Sequence, residues 1–460
     1  MAVINVVNLS DLGGITGLRI DAEYYDPYSV ELEDKLKSIF DKRIKSLGIK
    51  VDASAFYPSI AECYQKEGIP FVRVSDIREG FLEDKELIFL APKTVNNLPS
   101  IRKAFPGDIL ITKGGTVGIA CILPDKFPVY ALSRDVILVK TSSLTKEKAI
   151  SIMLFLISKY GKFQLLRGKS QQVQPHLTLP LIKNLLIPSF EVKTAVDNYV
   201  KSLDYFEKSK SLYSQAENLL LEELGLKDFK PKYELSYTAN LSQAFGVHRV
   251  DAEYFQPVYH QFIEHLTNSV EVNPLKTFIL DFQKAIEVGS ENYQEEGKPF
   301  IRVSNLSIHG FVERDQKYID EELYQKLKDV YEPKVGDLLL TKDATPGIAY
   351  VVKEPVEGVI ASGILKLKID EEKIDKEYLA LCINSTIGKL QIERDGGGSV
   401  IIHWKPEQIK NLQIPVLPHK TQQRIAQLVK QSHEARKKAK ELLEEAKRKV
   451  EEAIENEINK

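Results

Sequence analysis

The sequence predicts an α+β protein in which two copies of one mixed domain are separated by two long helices that form an antiparallel coiled coil. Three observations carry this expectation. Almost everything in the first half recurs in the second at a nearly constant offset, and such repetition identifies the folding unit before any single motif does. Within a copy, short β-rich runs lie between helical stretches without strict alternation of strand and helix, the pattern of segregated layers. After each copy comes a polar run with apolar residues at three- and four-residue spacing, the seam of a coiled coil.

The totals bound the class. A chain of 460 residues with 43% hydrophobic residues and a formal net charge of −2 is globular and of two or more domains, neither disordered nor fibrous. Cys63, Cys121 and Cys382 are too few and too scattered for a disulfide framework or a CxxC metal site, so a reducing, cytoplasmic compartment is expected and no metal is. The start, MAVINVVNLSDLGG, lacks a basic segment followed by a long apolar one, and no window reaches the roughly 18 apolar residues of a membrane span. Near-neutral charge excludes a purely electrostatic nucleic-acid coat, so any nucleic-acid contact must be local.

The first copy is expected over residues 1–190 and the second over 227–418. Arg19-Ile-Asp-Ala-Glu-Tyr-Tyr-Asp-Pro27 returns as Arg249-Val-Asp-Ala-Glu-Tyr-Phe-Gln-Pro257. Gly68-Ile-Pro-Phe-Val-Arg-Val-Ser-Asp-Ile77 returns as Gly297-Lys-Pro-Phe-Ile-Arg-Val-Ser-Asn-Leu306. Gly107 to Ala120 aligns without a gap on Gly336 to Ala349, and His176 to Pro188 on His403 to Pro415. Inside a copy, Phe71 to Val74, Asp108 to Thr112 and Asp135 to Lys140 read as strands punctuated by Gly and Pro. Ser29 to Lys45 and Lys146 to Gln164 read as helices.

The spacer helices are expected over 191–226 and 419–460. In the first, Val192, Val196, Tyr199, Leu203, Phe206, Tyr213, Leu220 and Leu224 mark a seam that Lys210 and Glu217 interrupt, with Gly225 and Pro231 as stop signals. From residue 191 to 224 such a helix is a rod of roughly 50 Å, too long to bury itself. The second repeats the design with Ile425, Leu428, Ala435, Ala439, Leu442, Ala446, Ala453 and Ile454. Glu434 and Lys438, Glu444 and Arg448, and Glu445 and Lys449 lie at i,i+4 with Glu on the N-terminal side, which supports the helix itself.

Motifs for chemistry are sparse. Gly114-Gly-Thr-Val-Gly118 lacks the Lys-Ser/Thr that a phosphate loop needs, and its counterpart is Asp343-Ala-Thr-Pro-Gly347, so it reads as a hairpin turn in which Gly118 and Gly347 fill one backbone position. Asp26-Pro-Tyr28 is only a fragment of an amino-methyltransferase motif and becomes Gln256-Pro-Val258 in the second copy. There is no Gly-rich AdoMet loop, no HExxH and no GxSxG. His176 and His403 align but each stands alone, which suits a packed or hydrogen-bonding histidine at the junction of domain and rod. What remains are polar loops that differ between copies on a shared framework. They supply Lys113, Thr116, Arg167, Lys169, Gln171 and Gln172 in the first copy and Lys342, Thr345, Arg394 and Ser399 in the second. These are residue types that contact phosphates and base edges.

Taken together, the duplicated Arg-Ile/Val-Asp-Ala-Glu-Tyr, Phe-Val/Ile-Arg-Val-Ser-Asp/Asn, Gly-Asp-Ile/Leu-Leu and Ile-Pro-then-rod segments resemble the DNA specificity subunit of type I restriction-modification systems, over almost the whole chain. The resemblance implies a non-catalytic subunit in which each repeat reads one half of a split DNA target. It also implies that the paired helices space the halves and dock two modification subunits, which carry AdoMet, with restriction subunits bound through them. Pro418-His-Lys-Thr-Gln-Gln-Arg424 keeps the family's Pro-x-x-x-Gln pattern at the start of the rod, whereas Phe190-Glu-Val-Lys-Thr-Ala-Val196 does not, so the two docking surfaces are expected to be unequal. Two other classes compete: a single-chain DNA methyltransferase or nuclease, and an interaction scaffold without nucleic acid.

Overall fold

The computed structural model describes residues 6, 22–57, 59–84, 87–167, 176–230, 232–313, 315–396 and 403–460. The chain divides into two compact units, residues 1–205 with 438–460 and residues 206–437. Each unit contains one mixed domain and a stretch of each long helix.

In the first unit an antiparallel sheet has the order Ala120–Ile122, Ile109–Thr112, Val136–Val139, Val51–Ala53. A second sheet has the order Tyr64–Gln65, Ile88–Leu90, Ile69–Val72, Tyr130–Leu132, Lys103–Ala104, and its one parallel pair joins Ile69–Val72 to Tyr130–Leu132. The second unit repeats this order with Ala349–Val351, Leu338–Thr341, Ile364–Ile369 and Ile279–Lys284. Its second sheet, Lys317–Ile319, Lys298–Ile301 and Val359–Ile360, keeps the same parallel pair. Strands such as Ile109–Thr112, Val136–Val139 and Leu338–Thr341 are buried throughout, which explains why they read as continuous apolar runs and not as alternating ones.

Two helices depart from the sequence-based expectation. Pro27–Ile39 ends early, and the residues up to Lys45 pass into the short strand Lys42–Arg43, paired with Leu186–Ile187. The expected helix from Lys146 is two, Lys146–Ile157 and Lys159–Arg167, set at 65°. The break sits at Ser158, whose hydroxyl donates to the Phe155 carbonyl at 2.6 Å. A Cβ at Gly161 would lie 2.1 Å from the same carbonyl oxygen, so only glycine lets the second helix turn so tightly on the first. The second unit repeats the device in Lys376–Asn384 and Thr386–Gly396, with Ser385 Oγ donating to the Cys382 carbonyl and a Gly388 Cβ placed 2.0 Å from Ile383 O. The apolar helix Lys146–Ile157 is core, buried along its length from Ala149. Among the described residues no single helix is long and apolar enough to cross a membrane.

The long helices are Lys193–Glu223 and His419–Ile458. The first closes in a Schellman turn: Gly225 takes φ +65°, its N–H donates to Glu222 O, and the Leu226 N–H donates to Leu221 O at 2.8 Å. Pro231 lies outside the described residues. The buried stripe is Ala195, Tyr199 and Ser202 in the first unit, then Phe206, Ser209, Tyr213, Ala216 and Leu220 in the second, an unbroken alternation of four and three. The seam therefore runs through Ser209 and Ala216, one residue before the Lys210 and Glu217 that seemed to interrupt it, and includes Ser202 in place of Leu203. Leu428 and Leu442 likewise flank the seam of the last helix, which buries Ile425, Val429, Ser432, Ala435, Ala439, Leu443, Ala446, Val450 and Ile454. In the second unit the two helices run antiparallel, since Ser209 meets Ser432 and the Arg436 guanidinium stands 4.4 Å over the Phe206 ring. Arg448 bonds Glu452 on the exposed face, and the largely buried Lys447 bonds Glu444 at i,i+3, a different pairing from the Glu444 to Arg448 expected.

Candidate nucleic-acid interface

Both hairpin loops are built by one threonine. Thr112 Oγ1 donates to the Thr116 carbonyl at 2.6 Å and accepts from the Ile119 N–H at 2.9 Å. Thr341 does the same with Thr345 and Ile348 at the same distances. Gly118 and Gly347 close the loops at φ +86° and +92°, the backbone position both copies share, and a Cβ at Gly347 would collide with Ile392 Cδ1 at 2.3 Å. The residue at the loop crest is left-handed in both copies, Gly115 at φ +69° and Ala344 at φ +58°. Thr116 and Thr345 are thus held by their carbonyls, with Thr345 exposed and Thr116 half-buried.

The lysines after the threonines occupy equivalent places. Lys113 N–H donates to Asp135 O and its carbonyl accepts from the Leu177 N–H; Lys342 N–H donates to Gly363 O and its carbonyl accepts from the Trp404 N–H. This clamp brings the residue just before Leu177 or Trp404, a histidine in each copy, to the loop. In the second unit Asp343 Oδ2 accepts from Lys342 Nζ at 2.5 Å, and Asp343 Oδ1 lies 2.8 Å from His403 Nδ1. Burial alone would push the Asp343 carboxyl up, but the hydrogen bonds and positive charge of Lys342 and His403 hold it below the usual carboxylate range. The His403 side chain is 71% exposed, whereas Lys342 is 19% exposed. In the first unit the position of Asp343 is Gly114, and a Cβ there would lie 3.0 Å from His176 Cε1 and 3.6 Å from Asp135 Oδ1. The buried Nδ1 of His176 makes no hydrogen bond with any described residue.

Arg167 and Arg394 are equivalent and stand over the equivalent tyrosines of the repeated Ala-Glu-Tyr segments, 4.4 Å from the Tyr24 ring and 5.4 Å from the Tyr254 ring. Arg167 donates to the carbonyls of Tyr24 and Ser29, pairs with Glu33 and is 9% exposed. Its guanidinium holds the first helix through these partners, a structural role that the loop position does not reveal. Arg394 is 29% exposed beside Asp395. Lys169, Gln171, Gln172 and Ser399 lie outside the described residues. The hydrogen-bonding role expected of the aligned histidines holds for His403, which meets Asp343; the acids beside the loops, Asp135 and Asp343, carry no signal in the sequence pattern. Among the described residues no cluster of His, Cys, Asp and Glu is arranged to hold a metal ion.

Solved structures align along most of the chain. The S subunit of a type I restriction-modification system from M. genitalium is 13% identical over 89% of this chain and 95% of its own, with a TM-score of 0.35. The HsdS subunit of Thermoanaerobacter tengcongensis is 14% identical over 92% and 95%, with a TM-score of 0.27. A search of curated proteins finds no match. The model of the type I restriction modification DNA specificity domain matches residues 279–448, a stretch of the second repeat together with most of the last helix.

Proposed function

We propose that the chain is the non-catalytic DNA sequence-specificity subunit of a type I restriction-modification complex, each repeat reading one half of a bipartite duplex target. The observation that carries this is the duplication: the specificity-domain match falls on the second repeat, and the first repeat has the same strand order, the same threonine-built loop and the same lysine. One framework with different crests suits two domains that perform one kind of recognition on different sequences. The partners on this reading are double-stranded DNA, two modification subunits that bring AdoMet, and restriction subunits held through them, all in the cytoplasm. The helices serve as spacer and docking surface, and no cofactor is bound by this chain.

The test is exchange of residues 1–190 for the same region of a related subunit, followed by methylation mapping of the host genome. One half of the methylated sequence changes and the other stays. A change in both halves sinks the reading, and so does methyl transfer by the purified chain mixed with labelled AdoMet and DNA without any partner.

A further inference from the structure

The two loops share more than their lysines. In the first repeat the loop residue after Lys113 is Gly114, and the residue that meets Lys113 just before the neighbouring strand is Asp135. In the second the loop residue after Lys342 is Asp343, and the residue that meets Lys342 is Gly363. These are equivalent pairs, because Val136 registers with Thr112 as Ile364 registers with Thr341. Glycine and aspartate have changed places. The exchange is spatially tight in both directions: a Cβ at Gly114 would lie 3.6 Å from Asp135 Oδ1, and a Cβ at Gly363 would lie 3.7 Å from Asp343 Oδ2. Each repeat therefore has a carboxylate beside this loop, delivered from opposite strands: Asp343 is engaged by Lys342 and His403, whereas Asp135 lies 3.5 Å from Arg134 Nε and His176 Nδ1 has no hydrogen-bond partner among the described residues.

We infer that Lys342, Asp343 and His403 in the second repeat form a contact site for a DNA backbone phosphate, in which the carboxylate positions Lys342 and His403, and that Lys113, Asp135 and His176 are its counterparts in the first repeat. This deepens the proposed function and rests on it. A bare carboxylate at a DNA-facing loop would repel phosphates. In the second repeat both of its oxygens are engaged, one by Lys342 and one by His403, so it acts as an orienting group and not as a reader of bases. With Nδ1 turned to Asp343, the His403 side chain stays largely exposed and open to a ligand. Domains that read different half-sites must differ where they touch bases and agree where they touch the backbone. A site whose composition is kept while its strand of origin is not falls in the second class.

The test uses the full chain and a fluorescein-labelled random-sequence duplex, which isolates the backbone contribution. Asp343→Gly weakens binding about three- to tenfold and flattens the dependence of log K on log salt by about one unit, the loss of one phosphate contact. His403→Ala does the same. Moving the carboxylate across, Asp343→Gly with Gly363→Asp and with Val303→Ala to clear the Val303 Cγ2 that stands 2.7 Å from a Gly363 Cβ, restores both affinity and slope. Asp343→Asn, which keeps the shape, gives the same loss as Asp343→Gly and removes folding as an explanation. Unaltered slopes, or tighter binding without the carboxylate, overturn the site while the chain still binds DNA. Failure of the unsubstituted chain to bind the duplex overturns the DNA reading itself.

Discussion

Ser209 and Ser432 face each other in the buried seam of the long helices, Oγ to Oγ at 3.2 Å, and the Ser432 hydroxyl also donates to the Ser209 carbonyl at 2.7 Å. Both side chains are completely buried; with Ser432 donating to the Ser209 carbonyl, the Ser209 hydroxyl is left to donate to Ser432 Oγ. Removing Ser432 strands that buried hydroxyl, whereas removing both leaves a small apolar contact. Ser209→Ala or Ser432→Ala therefore costs about 1 kcal/mol, and the double variant costs less than the two singles together. Urea midpoints of the four proteins give the cycle; strict additivity would show that the pair is incidental.

At the loop crest the second repeat carries a strain that the first avoids. Ala344 is held at φ +58° where the first repeat has Gly115 at +69°. The left-handed conformation costs an alanine about 1–2 kcal/mol, part of which glycine gives back through the entropy of its unfolded chain. Ala344→Gly raises stability by about 0.5–1 kcal/mol and Gly115→Ala lowers it by a similar amount. Space does not decide this, because the nearest atom to a Gly115 Cβ is Val74 Cγ1 at 3.8 Å. Equal thermal midpoints for all three proteins would contradict it.

Arg167 separates folding from binding. Its guanidinium satisfies the Tyr24 and Ser29 carbonyls and the Glu33 carboxylate, and a lysine cannot reproduce that fork. Arg167→Ala and Arg167→Lys both destabilise the first unit by about 2–3 kcal/mol. At temperatures where the variants stay folded, the salt dependence of DNA binding is that of the parent chain. A flatter salt dependence in the folded variants would return Arg167 to the interface.

Much of this could be read in the sequence, and the failures have physical causes. The duplication was visible because its framework residues, such as Thr112 and Thr341 or Gly118 and Gly347, do backbone work that tolerates no exchange. The seam was placed one residue off at Lys210 and Glu217 because Ser202, Ser209 and Ala216 are small, and a stripe defined by large apolar residues passes over them. The structural partners of Arg167 are not legible in the sequence, because the carbonyls it donates to lie 138 and 143 residues away. The acid of the loop site was hidden because Asp135 and Asp343 stand in different columns of the internal alignment and meet only through strand pairing.

Acid should loosen the first unit at the hairpin beside the helices. Glu79 accepts from Lys162 and Lys447, next to Gly80, whose carbonyl accepts the Tyr199 hydroxyl at 2.8 Å. Burial would raise the Glu79 carboxyl, but the two lysines outweigh it and hold it below the usual range. A depressed folded pKa gives stability that is fully present above the unfolded value of about 4.3 and is lost as pH falls through the folded value. Glu79→Gln removes this contribution, so its urea midpoint lies below that of the parent near neutral pH, begins to converge with it as pH falls below the unfolded value and meets it only below the folded one. A constant difference across the range would assign the effect to shape and not to charge.

The seam also decides how a spacer could be lengthened. Because Ser209 meets Ser432, an insertion in one helix alone would slide it past its partner and pull buried residues such as Tyr213 and Leu220 out of register. Seven residues added after Ser209, matched by seven added after Ser432, keep the four-and-three stripe and lengthen both helices by about 10 Å. The added rotation is only about 20°, the mismatch between a heptad and two helical turns. If the helices set the separation of two DNA-reading domains, the tolerated gap between half-sites grows by about three base pairs, at about 3.4 Å each, while the half-sites themselves stay the same. Methylation sequencing of cells carrying the paired insertion reads the gap directly. An unchanged gap in a variant whose urea midpoint matches the parent would reduce the helices to a docking surface.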